Sequence, residues 1–386
     1  MNRRFEELDS LRGIAAMTVL LAHLFVITPS LYLINKFMNT PLHMFWGGHE
    51  AVILFFILSG FVLSLPYYNQ NALNYKDYLI RRVCRIYIPY ISCIILSVIL
   101  LSFFSRVSIY EMTNVFEGTW ENSVSSKLLI SHFLFLGDFN SLSYNPVVWS
   151  LVHEMRISIV FPFVMYFVVK LSWKKNIFFA LSCTVIFFLL WYLSLNILNY
   201  NPTYLISIHY IGLFILGALL AKHRQYISDL YDRLSVIIKL FILLIGILAY
   251  TYTWWFLPNH GRLHLTIIND WFIAIGGSIF IIYSIKSTIF KKILLLKPIH
   301  FIGKTSYSLY LFHMPLILTL LNVFYGKIPT GYIIIIAFIS SFILAGVTYY
   351  LIEKPSIKLG KYITNKMKLN SSKLKSNKIK IEGNQA

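Results

Sequence analysis

The chain has 386 residues, 58% of them apolar and only 13% charged, with a formal net charge of +19. Composition this apolar excludes ordinary soluble domains. The basic excess does not mark a nucleic-acid binder either, because Lys and Arg sit in short clusters between long apolar runs. Cys84, Cys93 and Cys183 lie in apolar stretches without CxxC spacing, so they read as structural thiols, with no disulfide framework and no metal site expected.

Ten apolar runs approach the ~20 residues that cross ~30 Å of hydrocarbon. In chain order they cover residues 10–31, 49–66, 87–104, 148–169, 176–195, 205–221, 236–257, 267–285, 305–325 and 332–352. The first outruns a signal-peptide core and lacks an A-x-A site, so it is expected to be retained as a helix. A shorter run, 128–136, is followed by Gly137 and Asp138 and reads as re-entrant or interfacial.

Threading the chain through these runs gathers the basic clusters at residues 3–12, 76–85, 170–175, 222–239, 286–304 and from 354 onward on one side. The other side keeps Lys36, Arg106, Lys127, Arg262 and Lys327. By the positive-inside rule both termini are cytoplasmic. The expected fold is an all-α, polytopic membrane bundle of about ten transmembrane helices over residues 1–355, with a basic tail over 356–386. From Lys361 on, Lys, Asn and Ser leave too little apolar surface to offset ordering entropy, so disorder is expected there.

Ionisable groups at bilayer depth cost several kcal/mol unless paired or wetted, which makes each a functional hypothesis. Arg12 and His23 are eleven residues apart, an advance of about 1,100° and ~16 Å, so they share one helix face with His23 about half-way across. Imidazole there suits a general base, and a packing histidine is the bland alternative. His153, Glu154 and Arg156 form the second group; Glu154 and Arg156 point about 200° apart and should serve different partners. Arg81, Arg82 and Arg85 precede the third run, where headgroup contact competes with a phosphate clamp. Finally, Ser306–Pro315 places His313 about 14 Å above Lys304, with Pro315 freeing the Leu311 carbonyl toward a cavity. His49 and Glu50 read as exposed at the interface, and Ser59 and Gly60 as a close helix contact.

Ordered along the chain, several segments resemble the acyltransferase-3 family of integral membrane acyltransferases. They are Leu8-Asp9-Ser10-Leu11-Arg12-Gly13 with His23, the FFILSGF segment, RRVCRIYIP, WSLVHE, GKTSYSLYLFHMP and the closing Tyr350-Leu351-Ile352-Glu353-Lys354-Pro355. Where commoner members carry E-x-x-F-Y, this chain has Glu154-Met155-Arg156-Ile157-Ser158. The resemblance implies acyl transfer, commonly of acetyl, from cytoplasmic acyl-CoA (acetyl-CoA) to a hydroxyl of a carbohydrate or glycolipid in the bacterial cytoplasmic membrane or cell surface. It makes Arg12 and His23 the motif on which activity depends, and a stand-alone membrane form is expected. The candidate catalytic residues are therefore His23, Arg12, Glu154 and His313, with Arg12, Arg82 and Arg85 holding CoA phosphates and membrane lipid around the whole. The rival from another class is a transporter or flippase.

Overall fold

A computed structural model describes residues 5–27, 39–69, 74–104, 119–120, 124–134, 139–256 and 266–383, with side chains through Leu369. Expectations concerning Arg3, Arg4, Lys36, Arg106, Arg262, Gly137 and Asp138 fall outside the described residues. With no water in hydrocarbon to satisfy backbone amides, the apolar runs must close their hydrogen bonds locally. They do so as helices: α1 (Glu6–Val26), α2 (Gly48–Tyr68), α3 (Tyr75–Phe104), α4 (Ser126–Leu134), α5 (Val148–Lys170), α6 (Trp173–Leu198) and α7 (Ile206–Lys222). These are followed by α8 (Arg224–Arg233), α9 (Val236–Phe256), α10 (Ile267–Lys286), α11 (Thr288–Leu294), α12 (Lys297–Lys304), α13 (Ser306–Phe324), α14 (Thr330–Thr348) and α15 (Lys354–Gly383). No strand occurs among the described residues.

Every one of the ten apolar runs becomes a helix long and apolar enough to cross a membrane, making this an integral membrane protein. The short run 128–136 gives α4, nine residues long and not a span. Its His132 is buried and hydrogen-bonded to Tyr90, 2.7 Å away, which ties α4 to α3.

Burial separates an inner from an outer ring. In α2, α7, α10 and α13 61% of the span is buried, against 28% or less in α6, α9 and α14, whose Phe178, Ile237 and Ile343 face outward as lipid contacts would. The inner ring closes through glycine. A Cβ on Gly60 would lie 2.1 Å from the Phe214 carbonyl, and one on Gly217 2.0 Å from that of Ile57, so α2 and α7 touch backbone to backbone. Gly13 and Gly303 do the same for α1 and α12: their added Cβ atoms would meet backbone at 2.5 and 2.7 Å.

The C-terminal end departs from the sequence expectation. A π-turn, Tyr349–Glu353, joins α14 directly to α15, and the helix continues where disorder was expected from Lys361. Composition understated the packing available: Gly360 lies against Cys84 and the Arg81 backbone, and Arg81 Nε donates to Thr364 Oγ1 at 3.0 Å. Lys368 approaches the buried Asp77 at 3.6 Å.

Candidate active site

Two of the cavities among the described residues hold the candidate site residues. One, of about 540 Å³, opens at the face carrying Lys304, Lys354, Lys358 and Lys361, called here the basic face. Arg12, Arg82, Arg85 and Glu154 line it further in, and it reaches Phe55, Ser150 and Tyr310. The second, of about 880 Å³, is lined by His23, Trp149, His153 and Arg156 together with Asn140, Ser141, Tyr200 and Thr203. No lining residue is common to both. Consecutive residues of α5 separate them, Ser150 and Leu151 facing the first and Trp149 and Val152 the second.

His23 is therefore set apart from Arg12, Arg82 and Arg85, in the far cavity, while these groups read as phosphate ligands share the basic one. Behind His23 lies His313: its Nε2 is 3.0 Å from His23 Nδ1, and its own Nδ1 is 2.9 Å from the Leu309 carbonyl. A carbonyl can only accept, so His313 Nδ1 carries the proton and its Nε2 accepts from His23 Nδ1–H. That order leaves the His23 lone pair on Nε2, the tautomer a general base requires. His313 is 1% exposed, so its contact with reactants runs through His23.

The pairing has a structural cause. His23 follows Gly13 by ten residues and His313 follows Gly303 by ten, so the glycine contact between α1 and α12 sets the register that brings the two rings level. Pro315 contributes less directly than expected. The Leu311 carbonyl it frees does not face a cavity but accepts from buried Asn145 Nδ2 at 2.9 Å and from Cys93 Sγ at 3.2 Å. Sequence reading missed Asn145, whose only signal was a polar residue ahead of an apolar run. All three cysteines are free and buried, as structural thiols would be.

Within the basic cavity the arginines differ. Arg82 is closed on Glu154, with Nη2 to Oε1 at 2.8 Å, and on Ser158 at 2.9 Å. Glu154 also accepts from Ser59 at 3.2 Å, so it serves Arg82 and α2, not the histidines. Arg12 donates to the Leu58 carbonyl at 3.0 Å and lies 3.6 Å from Asp9. Among the described residues no hydrogen bond or ion pair engages Arg85. Glu154 and Arg156 line different cavities, and His153 is held by Ser207 at 2.8 Å.

A separate polar cluster corrects the reading of His49 and Glu50 as interface residues. Glu50 is 1% exposed and accepts from Trp254 Nε1 at 2.8 Å. His49 and His209 grip the two oxygens of buried Asp270 at 2.6 and 3.2 Å, and His209 reaches Thr184 at 2.9 Å. The cluster ties α2, α6, α7 and α10 together. Among the described residues no group of histidines, cysteines and carboxylates could hold a metal ion.

The profile of a family described as an acyltransferase domain matches residues 5–350. The chain belongs to this acyltransferase-3 family. It is 26% identical over 335 residues to the O-acetyltransferase OatA of Staphylococcus aureus, covering 81% of this chain and 53% of that protein. With the peptidoglycan O-acetyltransferase OatA of Listeria monocytogenes it shares 26% identity over 377 residues, 92% of this chain and 56% of the relative. The chain thus spans little more than half the length of these curated relatives. No solved structure matches it.

Proposed function

We propose that the protein is a membrane O-acetyltransferase that carries an acetyl group from acetyl-CoA, bound in the basic cavity, to a glycan hydroxyl in the far cavity. The observation that carries this reading is the His23–His313 pair, held at 3.0 Å with His23 in the wall of the far cavity. Family membership and the activity named for the OatA relatives support the chemistry. The Listeria relative's name favours a cell-wall glycan as acceptor.

In this mechanism His23 Nε2 takes the proton of the acceptor hydroxyl as its oxygen attacks the thioester carbonyl. The C–S bond breaks, and the departing thiolate receives that proton, so ester and free CoA are the products. His313 fixes the tautomer and ring orientation throughout. Arg85, with Arg12 behind it, supplies charge to the donor's phosphates, while Glu154 holds Arg82 in place. The pantetheine arm has to carry the acetyl group from the basic cavity past Phe55 and Tyr310 to reach His23. By the positive-inside rule the basic face is cytoplasmic, where acyl-CoA is available, in a bacterial cytoplasmic membrane.

The test is purified protein in nanodiscs, given radiolabelled acetyl-CoA and cell-wall glycan fragments. Label should enter an alkali-labile ester, and His23→Ala should lose transfer while remaining folded by gel filtration. Retained transfer in that variant removes His23 as the base. A pure transporter would show no ester formation with any acceptor.

A further inference from the structure

We propose that α15 is a specificity wall of the donor site: Lys358 and Lys361, with Lys304 across the mouth, bind the 3′-phosphate that distinguishes CoA from its dephospho form. This rests on the reading of the basic cavity as the CoA site.

Charge balance is the first support. The cavity is lined by seven cations, Arg12, Arg82, Arg85, Lys304, Lys354, Lys358 and Lys361, and by three carboxylates, Asp9, Glu154 and Glu353. The excess of four matches the roughly four negative charges that CoA's diphosphate and phosphomonoester carry near neutral pH. The three buried or paired carboxylates are held by protein groups. Glu154 is closed on Arg82, Asp9 lies beside Arg12, and Glu353 accepts from Ser308 at 2.6 Å.

Depth is the second. Arg82 is 8% exposed and satisfied by protein groups, whereas Lys358 and Lys361 are exposed on α15 and Lys304 on α12. Among the described residues no ion pair or side-chain hydrogen bond engages these three lysines. An acyl-CoA that sends its thioester inward leaves its adenosine 3′-phosphate at the opening, where these ammonium groups stand.

Geometry is the third. Lys354, Lys358 and Lys361 are four and seven residues apart, so they fall within about 60° of one another around the helix. The π-turn, with Glu353 bonded to Ser308 of α13, fixes the start of that face. Gly360 against Cys84, Arg81 on Thr364 and Lys368 near Asp77 fasten the rest of the helix to α3. The lysines thus belong to a seated wall.

Titration calorimetry on the detergent-solubilised full chain, with CoA and 3′-dephospho-CoA as probes, tests this. Wild type should bind CoA at least about tenfold more tightly than dephospho-CoA, the scale of one charge-assisted contact. Lys358→Gln with Lys361→Gln should abolish that preference by weakening CoA alone, while Lys358→Arg with Lys361→Arg should keep it. Equal wild-type affinity for the two nucleotides, or equal weakening of both in the Gln variant, overturns the assignment. Failure of wild type to bind either nucleotide overturns the donor reading itself.

Discussion

At the scale of single residues, the direction of one proton decides what His23 can do. The Leu309 carbonyl forces the proton of His313 onto Nδ1, and His313, across 3.0 Å, joins the Val19 backbone in setting the tautomer of His23. His313 acts through His23, which makes it a positioning residue. His313→Ala should lower kcat by about 10²-fold or more while leaving KM for acetyl-CoA within about twofold. His313→Gln, whose amide oxygen can still accept from His23 Nδ1–H, should recover part of that loss. Equal rates in the Ala and wild-type proteins would remove the relay. Glu154→Gln should act differently: it strips the charge partner from buried Arg82 and should lower stability, by about 3–5 kcal/mol if the charge stays unpaired, read by thermal unfolding. Arg12, His23, Glu154 and His313 were legible in the sequence because an ionisable group inside an apolar run stands out. Which of them meet was not legible, since the pair forms across 290 residues and Glu154 turned to Arg82.

Among elements, the ten spans could be read from hydrophobic length alone, because in lipid that length and local hydrogen bonding leave few alternatives. The joints were harder. Pro315 leaves the Leu311 carbonyl without its helical donor, and Asn145, from the segment before α5, takes the place of the missing amide. Asn145→Ala should leave that carbonyl only the weak Cys93 thiol as a donor and cost about 1–3 kcal/mol. Pro315→Ala restores an amide at the position that bonds Leu311, so the same Asn145→Ala change made in that background should cost clearly less. A double-mutant cycle by thermal unfolding reads the difference; strictly additive penalties would mean the two residues are uncoupled. The glycine joint between α1 and α12 is stricter, since its obstacles are backbone atoms at 2.5 to 2.8 Å. Gly303→Ala should displace α12 and α13 against α1 and separate the imidazoles, so transfer should fall far more than CoA binding does. The C-terminal helix escaped sequence reading because its support comes from α3, some 280 residues earlier.

At the scale of the whole molecule, the proposed function depends on which cavity faces which compartment, and the charge distribution makes a testable prediction of it. Two cavities with no lining residue in common would suit the proposed reaction, in which donor and acceptor come from different compartments. On the proposed reading, the positive-inside rule turns the basic face toward the cytoplasm, and the ten spans found among the described residues would then put both chain ends on that side. The fold makes a clean test possible, since Cys84, Cys93 and Cys183 are all buried and should stay silent toward a membrane-impermeant maleimide. New cysteines at exposed Asn201 and Lys327 should label in intact cells, while one at exposed Lys292 should label only after the membrane is opened. The reverse pattern would turn the cation-lined cavity outward, where no acyl-CoA is supplied. The far cavity, with His23 in its wall, would then meet the cytoplasm, and donor and acceptor would have to exchange places.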